Sequence, residues 1–136
     1  AQSRKHSAAG TPAAFARGLE RAVRTLTAAH RKVVIVASVP ENRVFVPDEL
    51  AKMRLFHARW PVEIGRSDFL ARQAFVFSLF EKLAKQYGVT VIYPHKVLCK
   101  TSSCVVAVGG RPLYRDEHHL SVFGAMRLVP LIAEAL

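Results

Sequence analysis

The chain has 136 residues, 51% of them hydrophobic, and a formal charge of +10, which is enough apolar material for one sizeable core and too little length for several domains. No apolar run approaches the ~18 residues that would span a bilayer, and the first residues lack the apolar stretch of a signal peptide; position 1 is Ala rather than Met, so any export signal lies outside what the sequence displays. The basic residues are scattered, without interleaved aromatics or a recognisable nucleic-acid motif, so no nucleic-acid partner is expected; a solvated helix face, or attraction to anionic envelope glycans and lipid head groups, accounts for the charge.

In chain order, residues 1 to 12 are small, polar and basic, the composition of a loose end. From Ala13 to His30, Phe15, Leu19, Ala22, Val23 and Leu26 recur at helical spacing while Arg17, Glu20, Arg21 and Arg24 take the other side, which predicts an amphipathic helix. Val33 to Ala37 is a continuous apolar run rich in β-branched residues, the pattern of a strand buried on both faces, and Pro40 stops it. The segment from Glu41 to Asp68 carries Pro47, Pro61 and Gly65, shows no sustained period beyond a short helix at Asp48 to His57, and is long for a connection inside a compact domain. Excursions of that kind often line active sites, which makes His57, Trp60 and Arg66 candidates for touching a substrate; a packing anchor for Trp60 and a surface position for His57 explain them equally. Phe69 to Tyr87 reads as a second helix with Gly88 at its C-cap, and Val89 to Tyr93 as a second buried strand.

After Cys104 a short hairpin is expected, Val105 to Val108 turning at Gly109-Gly110 and returning through Leu113 and Tyr114, because paired glycines tolerate the positive φ angles of tight hairpin turns. Val122 to Leu136 reads as a helix that Pro130 should kink or break. Helix, strand, helix, strand, helix is the α/β pattern with parallel strands. Ligands of such sheets lie at the carboxyl ends of strands, here Pro40-Glu41 and Pro94 to Lys96.

Leu113 to Gly124 concentrates the chemistry. Asp116 and His119 stand three residues apart, so on a turn entering a helix the carboxylate can reach one imidazole nitrogen and leave the other outward, the orienter and base of a hydrolase triad. An Asp and a His near a helix start also serve solvation or capping alone. Ser121 is the expected N-cap of the helix that follows. Zinc is disfavoured for Cys99, Cys104, His95, His118 and His119, since there is no second cysteine pair and the adjacent histidines diverge. Ser38, Ser67, Ser102, Ser103 and Ser121 lack a Gly-x-Ser-x-Gly elbow or a Gly-Asp-Ser turn, so no serine here is expected to be a nucleophile.

The run Asp116, His119, Leu120, Ser121, Gly124, Ala125, as Asp-x-x-His-Leu-Ser-x-x-Gly-Ala, resembles the C-terminal block of the SGNH hydrolases, most closely of SGNH domains fused behind membrane acyltransferases of family three. Cys99 and Cys104, then Gly110 to Asp116, resemble the approach to that block, and Val33 to Glu41 resembles a family strand ending in Val-Pro; together the likeness covers roughly residues 19 to 133. It implies a partial SGNH, flavodoxin-like three-layer α/β fold that lacks its N-terminal strands in this chain. It also implies Asp116 and His119 as the catalytic pair, no cofactor or metal, and O-acyl transfer to, or hydrolysis from, a cell-envelope glycan. The partners it implies are that glycan, the remaining SGNH segment and an integral-membrane acyltransferase domain, on the periplasmic side of the bacterial inner membrane. Together with the close cysteine spacing it implies a Cys99–Cys104 disulfide. The family's Gly-Asp-Ser nucleophile block and its oxyanion-hole glycine and asparagine blocks have no counterpart here, so the chain alone is expected to be inactive; a non-catalytic accessory or glycan-binding module on the same scaffold is the alternative.

Overall fold

A computed structural model describes residues 10–57 and 63–136. The elements in order are α1 (Gly10–Ala28), β1 (Val34–Val36), α2 (Val46–Leu55), β2 (Ile64–Gly65), α3 (Arg66–Tyr87), β3 (Thr90–Ile92), α4 (His95–Leu98), β4 (Ser103–Cys104), β5 (Ala107–Val108), β6 (Arg111–Pro112), α5 (Val122–Ala125), a 3₁₀ turn (Met126–Leu128) and α6 (Val129–Ala135). The architecture is mixed α/β. β1 and β3 pair in parallel, Val34 with Thr90, Ile35 with Val91 and Val36 with Ile92.

Two buried clusters hold these elements together. In one, Val23 of α1 meets Leu79 and Leu83 of α3 and Val89, with Val33, Ile35 and Val91 packed against them, so the two long helices cover one face of the parallel pair. In the other, Val46, Ile64, Phe69, Leu98, Cys104, Val106, Leu113, Tyr114 and Leu128 enclose the region from which the Asp116–His119 loop emerges. Apolar burial of this kind drives the fold at about 25 cal/mol per Å².

Several local expectations hold. Gly88 caps α3 at φ 68°, its N–H donating to Ala84 O, the left-handed C-cap that glycine adopts without a Cβ penalty. β5 and β6 form the expected hairpin, Ala107 opposite Pro112 and Val108 opposite Arg111, with Gly109 and Gly110 both at positive φ as a type I′ turn requires.

Three expectations need correction. Gly10 to Pro12 belong to α1 rather than to a loose end; residues 1–9 lie outside the described residues. α3 begins at Arg66, three residues before the apolar pattern does, because Gly65 in extended conformation opens it. Val36 is 54% exposed, so the first strand is not covered on both faces. The expected break of the last helix is present as the 3₁₀ turn Met126–Leu128: Pro130 has no N–H for Met126 O, which accepts from the Val129 N–H instead, and the proline sits in the first turn of α6.

Candidate active site

The loop bearing Asp116 and His119 is clamped at its base. β6 leads into Leu113 and Tyr114, which are 1% and 0% exposed, and the Leu113 N–H donates to Val106 O at 2.8 Å. The chain then swings out and returns through an antiparallel bridge between Tyr114 and Leu120, with the Arg115 N–H donating to His119 O at 2.9 Å. Ser121 locks the exit. Its N–H donates to Leu113 O at 2.9 Å, its hydroxyl donates to Pro112 O at 3.0 Å and accepts from the Gly124 N–H at 3.1 Å, the N-cap bond that satisfies an otherwise free donor of α5. Gly124 must be glycine, because a Cβ there would fall 2.0 Å from Leu113 O.

Within this frame the Asp116 carboxylate has two jobs. Oδ1 accepts from the backbone N–H groups of His118 at 2.8 Å and His119 at 2.7 Å, which fixes the turn, while Oδ2 stands 2.8 Å from His119 Nδ1. The His118 N–H, then the His119 N–H, then the His119 ring hold the Asp116 carboxyl well below the usual carboxylate range, against the opposing pull of partial burial. It is therefore ionised at neutral pH and assigns the ring proton to Nδ1. Nε2 is left with its lone pair on a side chain that is 68% exposed. Such a pair can accept a proton at Nε2 and stabilise the resulting imidazolium.

His118, the sequence neighbour, is exposed, and among the described residues its ring makes no hydrogen bond. The structure thus separates two histidines that share a dipeptide. A further support was not legible in the sequence: the Asn42 N–H, six residues past β1, donates to Glu117 O at 2.8 Å and ties the loop to the carboxyl end of the parallel sheet. The general location of ligand crevices at strand ends pointed to that neighbourhood, but not to Asn42.

Other candidates fall elsewhere. His57 follows α2 with φ 49° and is exposed; Arg66 opens α3; neither bonds to the Asp116–His119 pair. Trp60 lies outside the described residues. Ser121 is committed to its cap, and Ser38, Ser67, Ser102 and Ser103 make no hydrogen bond to His119 through their side chains. Cys99 and Cys104 are bonded to each other, with S–S 1.99 Å, beside the β2–β4 pair, so neither offers a thiolate to a metal. His95 is 7% exposed, stacked on Phe77, and burial pushes its imidazole pKa down. Asp116, Glu117 and His118 place donor atoms within 4.8 Å of one another, yet both Asp116 oxygens are already engaged by its neighbours.

Among the described residues no helix is long and apolar enough to cross a membrane. A comparison with curated proteins finds no match. Among solved structures the chain is similar to the "Structure of Salmonella ser. Paratyphi A lipopolysaccharide acetyltransferase periplasmic domain", with TM-score 0.69 and 18% identity over 96% of this chain and 52% of that one. The chain thus spans about half the length of that solved domain, and at this identity the likeness speaks for the fold. The family described as "SGNH domain (fused to AT3 domains)" matches residues 1–134, a span that contains the whole Asp116–Ala125 block. The chain therefore belongs to the SGNH domains that are fused to AT3 acyltransferase domains.

Proposed function

We propose that this chain supplies the base and orienter of a Ser-His-Asp triad for O-acyl transfer, with acetyl the expected group, to a cell-envelope glycan or its hydrolysis from one. The observation that carries the reading is the 2.8 Å contact between Asp116 Oδ2 and His119 Nδ1 with Nε2 unencumbered. In this reading the nucleophilic serine comes from a Gly-Asp-Ser block and the oxyanion hole from separate glycine and asparagine blocks of a longer protein; no Gly-Asp-Ser occurs in these 136 residues. The solved relative is a periplasmic domain of an acetyltransferase that acts on lipopolysaccharide, which supports a periplasmic location beside an integral-membrane acyltransferase domain.

In that setting His119 Nε2 takes the proton of the serine hydroxyl as its oxygen attacks the acyl carbonyl carbon, and Asp116 holds the imidazolium. The proton then goes to the departing group and an acyl-serine remains. A sugar hydroxyl, deprotonated by the same Nε2, attacks the acyl carbon; the acyl–serine bond breaks, the imidazolium returns its proton to the serine oxygen, and the sugar leaves with the acyl group, water in its place giving hydrolysis.

The test is His119→Ala in the full-length protein. It should lower acyl transfer by about 10³-fold or more with folding retained, and Asp116→Asn, which favours the wrong tautomer, should also cause a large loss. His118→Ala should change little. Loss with His118→Ala and retention with His119→Ala would reverse the assignment, and retention with both would favour an accessory module. The 136-residue chain alone should show no esterase activity.

A further inference from the structure

We propose that the C-terminal tip of α2, Leu55 and Phe56 with Lys52 and Arg54, docks into the head-group region of the bilayer that carries the fused AT3 domain. Docking of this kind is independent of which histidine is the base. In the sequence no acidic residue stands between Glu49 and Glu63, an interval that holds Lys52, Arg54 and Arg59. α2 therefore sorts its charges along its axis, with Asp48 and Glu49 in its first turn and Lys52 and Arg54 in its last.

The inner side of α2 is already satisfied, since Val46 is buried and Leu50 packs against the same cluster. One apolar side is enough to hold a helix on a globular domain. At its end α2 carries a second: Leu55 is the last helical residue, Phe56 caps it, and they are 74% and 72% exposed. A lone exposed apolar side chain is ordinary, whereas adjacent bulky ones rimmed by cations mark a contact surface.

Three occupants compete for this tip. The rest of the SGNH domain has the open side of β1 to extend, because β1 pairs only with β3 among the described strands; α2 packs on β6 instead. A protein core laid over the tip would also strip water from its cations, and among the described residues Arg54 has no carboxylate to offset that cost, its Nη2 donating to the Gly110 carbonyl at 2.8 Å. An acidic protein surface would satisfy the cations and leave Leu55 and Phe56 without an apolar environment. A bilayer interface takes both sets: Leu and Phe side chains enter the boundary between head groups and acyl chains, while cations stay at the phosphates with their stems buried. Lys52 shares its charge with Glu49 at 2.8 Å, so Arg54, whose fork keeps donors beyond the one on Gly110 O, is the main phosphate contact. A membrane is at hand, because the family is one whose SGNH domains are fused to AT3 domains. Through Gly110 the tip is tied to the β5–β6 hairpin that leads into the Asp116–His119 loop, so docking would fix how that loop faces the membrane.

The experiment uses the full-length protein in nanodiscs of phosphatidylethanolamine and phosphatidylglycerol. Nitroxide labels are placed by Leu55→Cys and Phe56→Cys, with Glu81→Cys on the exposed side of α3 as the water-side reference; Cys99 and Cys104 are bonded to each other and take no label. Both tip side chains are exposed in this chain, so labelling leaves its core intact. Spin relaxation by oxygen, which concentrates in lipid, against a water-soluble nickel chelate reads the depth of each label. We expect the labels at 55 and 56 to favour oxygen and to lie about 5–10 Å into the interface, with the label at 81 in water. Labels at 55 and 56 that meet the nickel chelate as freely as the one at 81 would put the tip in solvent and overturn the docking. Labels shut off from both reagents would show that protein covers the tip, which overturns it equally.

Discussion

Between Leu113 and Ala125 the bonds that set the geometry lie mostly inside the segment: Arg115 to His119, Ser121 to Leu113, Gly124 to Ser121, and Asp116 to the two residues that follow His118's predecessor. At the β1–β3 sheet the opposite holds. β1 pairs only with β3 among the described strands, Val36 is 54% exposed, and Phe15 and Phe75 on the covering helices are each 47% exposed. A loop that closes its own hydrogen bonds keeps its shape wherever its base is anchored, whereas a two-stranded parallel pair depends on neighbours to bury its faces and edges. The geometry of the Asp116–His119 loop is set locally, whereas burial of the sheet depends on more distant neighbours.

Substitutions can break this contrast. Gly124→Ala drives a Cβ into the Leu113 carbonyl, so the backbone must move at the point where the loop is anchored; we expect a loss of about 3 kcal/mol in urea denaturation of the full-length protein, with acyl transfer falling in step. Wild-type stability in that variant would mean the clamp is not needed. Next in size, replacing Cys99 and Cys104 by serine removes a cross-link over a sequence separation of 5, and loop-closure entropy puts the cost at about 2 kcal/mol. Alkylation under denaturing, non-reducing conditions, read by intact mass, should label neither thiol; two labelled thiols would contradict the bond. Val36→Thr probes the other side of the comparison. In the 136-residue chain, where Val36 is more than half exposed, it should cost no more than about 0.5 kcal/mol. In the full-length protein, where we propose that further strands cover this sheet, burying the hydroxyl should cost about 1–2 kcal/mol. Equal costs in the two contexts would remove the case for remote completion.

The same division governs what could be read from the residues. Gly88 as a cap, Gly109-Gly110 as a hairpin turn, Ser121 as an N-cap and the reach from Asp116 to His119 are short-range features whose stereochemistry is set by residue type and spacing, and all four are present. Asn42 was illegible because its bond to Glu117 joins residues 75 positions apart, and no local pattern encodes such a pairing. Gly124 stood in the family block, but its reason, the approach of the Leu113 carbonyl, is visible only in three dimensions. The apolar run Val33 to Ala37 announced a strand correctly and its burial wrongly, since periodicity reports what a strand can bury and not whether a neighbour is there to bury it. Pro130, by contrast, was legible: the helix breaks at Met126–Leu128, where the N–H that proline lacks would have bonded, and the proline starts the next helix.

The central claim is that Asp116 fixes the His119 proton on Nδ1 and leaves Nε2 as the free base. Long-range ¹H–¹⁵N correlation of the imidazole rings, recorded across a pH series, reads this directly. The account predicts that His119 is the Nδ1–H tautomer and that Asp116→Ala releases it from that form, with the His118 ring unaffected by the ion pair. An Nε2–H tautomer at His119 with Asp116 intact would contradict it.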